Sequence, residues 1–309
     1  MTFLSQSFQH LSTLATIFLG IFIEALPYLL LGILASGLLE VFVNKEFMHR
    51  LIPKNRLLGI FMGSLLGLLF PVCEHGVVPL TRRLFQKGMP VSMGITFMLA
   101  APVMNPIVIA STLAAFGFGP VFWGRIILTL SIAIITGLIF TYQKDEDILI
   151  SMPELLVAGC HRCEGKVRPT ASIKEKLYQS IEIMGDEFFD IGLYFIIGAF
   201  LAALVQTFVP QDILLAVGSG PILSILSMIT LAVVLSICST VDAFVASSFA
   251  ASFSTGSILA FLVYGPMIDI KALMMFSRVF KKKTIAYLAI IPLMLVVLAS
   301  LIITYRLTL

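Results

Sequence analysis

The chain contains two short polar stretches inside apolar segments, PVCEHG at residues 71–76 and SICSTVD at residues 236–242. Each is followed at nearly the same interval by a stretch that contains proline, APVMNP at 101–106 and GPMID at 265–269. Ionisable and thiol side chains, and helix-breaking prolines, are costly in a bilayer unless they line a pathway enclosed by protein. A duplicated pair of such breaks indicates a transporter-type binding site with a contribution from each half of the chain.

The composition is that of an integral membrane protein. Of the 309 residues, 59% are hydrophobic and 12% are charged, against about a quarter charged in soluble proteins. The mean hydropathy is +1.06. The sequence therefore predicts a multi-pass protein of the cell membrane, surrounded by the lipid bilayer. The net charge of +3 is modest, and the basic residues cluster in loops as membrane topology requires, so nucleic acid is not expected as a partner.

Apolar segments of about 20 residues, the length that crosses a bilayer, predict six spanning helices. Their residues are 11–42, 91–115, 120–141, 187–209, 256–277 and 284–305. Two further apolar segments, 57–89 and 221–255, are interrupted by the two cysteine-containing stretches. Neither part of either segment is long enough to span the hydrocarbon core. We expect each of these segments to form a re-entrant or broken helical hairpin.

The distribution of charge decides between a hairpin and a full span. Basic residues flank segment 57–89 on both sides, so the positive-inside rule places both of its ends in the cytoplasm. The loop at 210–221 and the region near Ser254 carry no Lys or Arg, so the second hairpin would enter from outside. The alternative makes each segment a full span and would put Arg82, Arg83 and Lys87 on the outer face.

The two halves share the order of an acid, a cysteine-containing break and a proline-containing break. Glu24 and Glu187 are separated by 163 positions (187 − 24), and Cys73 and Cys238 by 165 (238 − 73). The sequence therefore predicts an all-α membrane protein of two inverted repeats, each with about three spanning helices and one hairpin. Repeat 1 covers residues 11–141, a cytoplasmic linker covers 142–186, and repeat 2 covers 187–306.

Three different metal-ligand types are consecutive in the first polar stretch. Cys73, Glu74 and His75 offer a thiolate, a carboxylate and an imidazole, the commonest ligands of zinc and related ions. Cysteine also suits copper(I) and trivalent arsenic, and Cys238 would add a second thiol from the other half. A packed thiol beside a hydrogen-bonded imidazole is the alternative.

Further polar residues are expected to support substrate binding. Asp242 and Asp269 are carboxylates at membrane depth, which favours function, whereas Asn105 could equally cap a helix. Glu24 is the candidate for proton coupling. Unwound backbone at the breaks would present helix ends, which also suit a small anion or a sulfur oxyanion. The expected breaks are at Pro71, Gly76, Pro79, Pro102, Pro106, Gly265 and Pro266.

The linker carries a C-x-x-C pair, Cys160 and Cys163, with His161 between them. One such pair is half of a tetrahedral metal site, so an incidental pair of reduced thiols is the alternative to metal binding. Its expected cytoplasmic position argues against a disulfide. The chain has no G-x-x-x-x-G-K-[ST] motif, so direct drive by ATP is not expected and the cofactor stays unspecified.

The stretches quoted above resemble the predicted-permease family that includes the organoarsenical efflux permeases. The likeness runs from Glu24 to about Lys283 and is sharpest at residues 71–80 and 97–106. The resemblance implies a permease. Family members typically carry Cys-x-Cys-Gly at the first break, where this chain has His75 in place of the second cysteine. That departure argues against a direct transfer of arsenical specificity and favours cargo that accepts mixed sulfur and nitrogen ligands.

We expect a permease that moves a small solute, most simply a soft metal or metalloid species, by alternating access. One alternative is a membrane-embedded thiol enzyme with Cys73 and His75 as nucleophile and base. Another is a subunit that delivers metal through the pair at 160–163. A passive channel is disfavoured because a pore would show more polar rings. A second copy of the chain or an accessory metal-handling protein are the expected protein partners.

Overall fold

The computed structural model describes residues 2–42, 50, 52–53, 55–69, 72–143, 145–150, 173–208, 220–250 and 252–307. In these ranges the chain is helical apart from turns, connecting residues and one isolated β-bridge between Leu149 and Phe280. A helix satisfies its own backbone hydrogen bonds, which the bilayer interior demands. The described helices are α1 (Thr2–Phe42), α2 (Arg56–Leu69), α3 (Val77–Gln86), α4 (Val91–Met104), α5 (Pro106–Phe116), α6 (Pro120–Phe140), α7 (Asp145–Ile148), α8 (Ile173–Phe208), α9 (Pro221–Leu235), α10 (Asp242–Ser248), α11 (Thr255–Met267), α12 (Ile270–Phe276) and α13 (Lys282–Leu307).

Within the described ranges, five helical segments are long and apolar enough to cross a membrane. They are Leu11–Val41, Pro120–Phe140, Ser180–Phe208, Thr255–Phe276 and Lys282–Arg306. The pair α4 and α5, bent by 43° at Asn105, supplies a sixth span if it is counted as one. These segments correspond to the six spans predicted from hydropathy, so the prediction of an all-α, multi-pass membrane protein is confirmed.

The helices at the centre of the molecule are α4 and α11. Every residue of α4 from Val91 to Met104 is buried, and α11 buries nearly all of its side chains. By contrast, many described side chains of α1 and α13 are exposed or partly exposed, including the large apolar ones of Ile23 and Met294, and lipid is expected there. The two central helices therefore form the protein interior against which the interrupted segments pack.

The two interrupted segments form pairs of short helices. Helices α2 and α9 have 14 and 15 residues, or about 21 and 22 Å of length, less than the ~30 Å of a hydrocarbon core. Each is followed by a non-helical stretch with a cysteine, and then by α3 or α10. We call these stretches turn 1 (residues 72–76) and turn 2 (residues 236–241).

Six helices of the first half, α1 to α6, match α8 to α13 of the second half in order. The first members of the two sets run antiparallel. Phe18 packs against Phe200 at one end of the pair, and Ser36 binds Glu187 towards the other end. Antiparallel packing of equivalent helices is the relationship that an inverted repeat requires.

Most of the proline positions that were predicted to break a helix are themselves helical, and the actual breaks lie next to prolines. Pro79 lies in the first turn of α3, and Pro102 lies inside α4; Gly265 and Pro266 lie inside α11. These four predicted break positions are therefore wrong. The chain leaves the helix at Asn105, whose extended backbone follows from the steric demand of Pro106, the first residue of α5.

The equivalent break in the second half is at Ile268 and Asp269, between α11 and α12. Gly76 lies at the end of turn 1, directly before α3. Pro71 lies outside the described residues. Helix α8 begins at Ile173, so helical structure starts inside the segment 142–186 that the sequence assigned to the linker.

Two connections of the chain meet on one face. Lys281 N and Thr284 Oγ1 both donate hydrogen bonds to Ile148 O, at 3.0 and 3.1 Å. The beginning of the predicted cytoplasmic linker therefore contacts the loop before α13 and the first turn of that helix, in which Lys282 and Lys283 are exposed. We call this the basic face. The positive-inside rule predicts that it faces the cytoplasm.

Candidate functional site

Turn 1 brings three potential metal ligands together. Cys73 Sγ lies 4.0 Å from His75 Nδ1, which lies 3.6 Å from Glu74 Oε1. One ligand atom from each residue falls within 4.8 Å of the other two. Ligands about 2.0–2.3 Å from a tetrahedral metal are separated from one another by about 3.3–3.8 Å. The two contacts made by His75 are within a few tenths of an ångström of that spacing.

The three side chains are enclosed by protein. Cys73, Glu74 and His75 are 2%, 4% and 0% exposed. Among the described residues, Glu74 Oε1 and His75 Nε2 find no hydrogen-bond partner. Buried polar atoms are nearly always hydrogen-bonded, and those that are not often belong to sites that bind a ligand, a water or an ion. A solute bound between these atoms would supply the missing partner.

Turn 1 is held between the first helices of the two halves. A Cβ atom on Gly32 of α1 would lie 2.2 Å from the Cα of Gly76, so this close approach requires glycine in α1. On the other side, the ring of His75 packs edge-on against Phe195 of α8, with 5.1 Å between ring centroids. The packing of α1 and α8 therefore fixes the position of the three ligands.

Turn 2 meets turn 1 directly. Ser239 Oγ donates a hydrogen bond to Glu74 Oε2 at 3.1 Å. Cys238 is buried, lies within electrostatic range of Glu74 and Cys73, and receives a hydrogen bond on Sγ from Thr240 Oγ1 at 3.4 Å. The cluster of ligand atoms within 4.8 Å does not include Cys238. Cys238 therefore lies near Cys73 and Glu74 without being part of that cluster.

A buried cluster on α12 supports turn 2. Asp269 accepts hydrogen bonds from Ala272 N, which caps α12, and from Ser236 Oγ, both at 2.6 Å. Lys271 Nζ donates to Ser236 O at 2.6 Å and lies 3.5 Å from Asp269 Oδ2. Ser236 has a left-handed backbone with a φ of 49°, a strained conformation for a residue other than glycine. Asp269 binds the side chain of this strained residue and Lys271 binds its carbonyl oxygen, so the two charged side chains fix its conformation.

Lys271 is a site residue that the sequence analysis did not include. It lies within electrostatic range of Glu74 and His75, as does Asp269. The signal that could have identified it is the cost of a charge at membrane depth, since it falls in the predicted span 256–277. The same signal applies to Arg125 in span 120–141.

Asp242 and Asn105 make contacts away from the three ligands. Asp242 receives hydrogen bonds from Arg125 at 3.0 and 2.6 Å and so forms an ion pair between α6 and α10. Asn105 Oδ1 accepts from Ile107 N at 3.0 Å, which caps α5 and is one of the two roles expected for it. The structure thus gives each residue a structural contact.

The two glutamates at matching positions have different surroundings. Glu24, the predicted proton-coupling residue, is exposed on α1. Glu187 is fully buried; it accepts a hydrogen bond from Ser36 Oγ at 2.7 Å and lies 3.4 Å from Arg83. Of the two glutamates, Glu187 has its carboxyl group in the protein interior, and Glu24 does not. Cys160 and Cys163 lie outside the described residues.

The helical fold, its spans and the buried polar site between the two halves define a multi-pass membrane permease. Comparison with known sequences gives the same class. The chain belongs to the predicted permease family ArsP_1, whose pattern matches residues 10–305. That match covers nearly the whole chain and points to a transporter and not to an enzyme.

Two curated proteins are similar along most of their length. The UPF0718 protein YcgR of Bacillus subtilis (strain 168) is 45% identical over 289 residues, which cover 93% of this chain and 95% of that protein. A protein of Streptococcus mutans serotype c (strain ATCC 700610 / UA159), described as a putative two-component membrane permease complex subunit, is 39% identical over 87% of each chain. No solved structure matches this chain.

Proposed function

We propose that this permease moves a soft metal or metalloid species, and that the cargo binds to Cys73, Glu74 and His75. The single observation that carries the proposal is the spacing of the three ligand atoms, which lie within 4.8 Å of one another in a buried position. The mixture of sulfur, oxygen and nitrogen suits zinc and related borderline ions, and also thiophilic metalloids. Cys238 lies beside this site as a further thiol, and the ammonium group of Lys271 contributes a positive charge next to it.

Two re-entrant hairpins would carry this site into the membrane. One consists of α2 and α3 and enters from the basic face, and the other consists of α9 and α10 and enters from the opposite face. The hydrogen bond between Ser239 and Glu74 supports this arrangement because it joins the two turns. Transport would then proceed by alternating access, as one repeat moves relative to the other around the fixed site.

Ligand binding by the reduced protein in nanodiscs tests the proposal. Zinc, cobalt, copper(I), arsenite and an organoarsenical are titrated against the wild type and against Cys73→Ser, His75→Ala and Cys160→Ser/Cys163→Ser. We expect at least one ligand to bind with an affinity that falls at least tenfold in the first two variants and is unchanged in the linker variant. Binding that depends only on Cys160 and Cys163 contradicts the proposal.

A small anion is the second candidate cargo, and one observation favours it. Lys271 places an ammonium group beside Glu74 and His75, and it is buried with 2% exposure. A sulfur oxyanion could exchange for Asp269 as the counter-ion of this lysine. In the same nanodiscs, thiosulfate or sulfite binding that is lost in Lys271→Met and kept in Cys73→Ser would select the anion over the metal.

A second subunit is the proposed protein partner. The Streptococcus mutans relative is described as a complex subunit, and Glu24 exposes a carboxyl group on an apolar helix. A charged side chain in a membrane span normally faces protein or water. Co-purification of the tagged chain in mild detergent, followed by native mass spectrometry, tests this. A second copy or a different membrane protein on the spectrum supports it, whereas a monomer in native lipid contradicts it.

A further inference from the structure

A buried ion pair lies between the site and the face opposite the basic face. The Arg125 guanidinium of α6 binds the Asp242 carboxylate of α10 through two hydrogen bonds, at 3.0 and 2.6 Å. Arg125 also donates to Thr112 Oγ1 of α5 at 2.8 Å. Both charged residues are almost fully buried, with 1% and 2% exposure. The ion pair joins a helix of the first half to the short helix that follows turn 2.

Contacts at the helix ends show which face this pair lies towards. Helix α13 begins at Lys282 on the basic face, and Thr304 lies 22 positions further on (304 − 282), about 33 Å along the helix. Thr304 Oγ1 lies 3.3 Å from Ser254 Oγ, just beyond α10. Helix α10 therefore runs from turn 2 towards the face opposite the basic face.

A second group of ion pairs, buried at Arg82, Arg83 and Glu187 and partly buried at Asp190, lies between the site and the basic face. Arg83 of α3 lies 3.4 Å from Glu187 of α8, and Arg82 donates to Asp190 Oδ2 at 2.8 Å. Asp190 also pairs with Arg278, close to the loop of the basic face. This group joins the short helix that follows turn 1 to a helix of the second half.

The two groups have the same relationship to the site. In each, the short helix that leads from a turn towards one face is bound by charge to a helix of the other half. The side chains between them, from Cys73 to His75 and Cys238, are all at most 4% exposed. The structure is therefore closed towards both faces at once.

We propose that these ion pairs are the two gates of the permease. Arg125 and Asp242 close the site towards the face opposite the basic face, which we call the outer face. The second group, formed by Arg82, Arg83, Glu187 and Asp190, closes the site towards the basic face. Relative movement of the halves breaks one group and leaves the other intact, which gives alternating access. The inference rests on the proposed transport function for its meaning, but access to the site is measurable without knowledge of the cargo.

The test uses Cys73 as a reporter thiol in a Cys160→Ser/Cys163→Ser/Cys238→Ser background. A membrane-impermeant methanethiosulfonate is applied to right-side-out and to inside-out vesicles, and the labelled fraction is read by intact mass. We expect Asp242→Asn to speed labelling at least tenfold from the outer face alone. Glu187→Gln/Asp190→Asn speeds it at least tenfold from the basic face alone.

Milder and matched variants guard against loss of the fold. Thr112→Val and Ser36→Ala each remove one hydroxyl that binds a gate residue, and they produce smaller rate increases from the same respective sides. Glu40→Gln removes the carboxylate charge 3.5 Å from Lys87 at the end of α1 and leaves both rates unchanged. The charge swap Arg125→Asp/Asp242→Arg returns the outer rate towards that of the parent.

The direction of labelling decides the outcome. Faster labelling from both sides in either mild variant, or from the wrong side, overturns the gate assignment and indicates general loosening of the helix packing. Unchanged labelling in Thr112→Val, Ser36→Ala and both carboxyl variants overturns it as well. If none of the five metal or metalloid ligands binds to the wild type while labelling stays side-selective, the metal cargo is overturned and the gates stand.

Discussion

Ser239 Oγ donates a hydrogen bond to Glu74 Oε2 across 3.1 Å, and the two residues are 165 positions apart. That separation equals the offset between Cys73 and Cys238 (238 − 73). The bond therefore joins equivalent positions of the two halves when the halves are aligned on Cys73 and Cys238. A cargo ion bound by Glu74, as proposed above, would change the strength of this contact.

Ser239→Ala tests the contribution of that contact. The change removes a donor from a buried carboxyl group, which costs about 1.5–3 kcal/mol when the acceptor is charged. We expect the free energy of unfolding to fall by that amount in nanodiscs. Ser248→Ala is the control, because Ser248 is exposed and its hydroxyl donates to Val245 O of its own helix. Equal effects of the two changes would show that Ser239 has no special role.

Gly32→Ala tests the close approach of α1 to turn 1. The added Cβ would lie 2.2 Å from Gly76 Cα, which is backbone and cannot rotate away. We expect a loss of stability of about 1–3 kcal/mol or more, together with loss of ligand binding. Gly20→Ala, in the same helix with open space around it, should leave binding unchanged and stabilise the helix by up to about 1 kcal/mol. Retained binding in Gly32→Ala contradicts the described packing.

Lys271→Met tests the charged cluster behind turn 2. Removal of one partner of a buried ion pair leaves Asp269 without its counter-charge and costs about 3–5 kcal/mol. We expect thermal unfolding at a much lower temperature than for Lys282→Met, a change at an exposed lysine. Saturating zinc should recover part of the loss, because a cation bound to the folded state stabilises it by mass action. No recovery with any cation would show that the folded variant binds none of them, which contradicts a metal site beside this cluster.

Two substitutions of Asn105 separate its roles as cap and as ligand. Serine caps helices about as well as asparagine does and is uncharged, whereas alanine does not cap and costs about 1 kcal/mol. We expect Asn105→Ser to keep both stability and ligand affinity, and Asn105→Ala to lose stability alone. Ligand titration and thermal unfolding of the same two samples provide the comparison. A fall in affinity in Asn105→Ser, at unchanged stability, would show that the amide itself binds cargo.

Patterns in the chain that are local in sequence were predicted well. Hydropathy is a sum over neighbouring residues, so the six spans and the two short apolar segments could be located without any knowledge of packing. The adjacency of Cys73, Glu74 and His75 likewise follows from their consecutive positions. The positions of the breaks were predicted less well. Pro102 is accommodated inside α4, and the steric effect of Pro106 on Asn105 sets the actual end of the helix.

The contrast between Glu24 and Glu187 shows where prediction from sequence ended. Both are acids in the first helix of a half, and the sequence favoured Glu24 as the functional one. Which side of a helix faces protein depends on the neighbours that pack against it. The structure turns Glu187 to Ser36 and Arg83 and leaves Glu24 exposed. No local pattern in the chain contains that information.

The sequence by itself determined that this is an all-helical membrane protein with a duplicated plan and a cluster of soft and hard ligands at a helix break. These properties depend on transfer of apolar segments to lipid and on neighbouring residue types, which are local. Only the tertiary structure decided the partners of the buried charges, Lys271 with Ser236 and Asp269, and Arg125 with Asp242. A charge enclosed in a low-dielectric interior must meet an opposite charge or a hydrogen-bond partner. Helix packing over separations of more than 100 residues, as between Arg125 and Asp242, selects which one it meets.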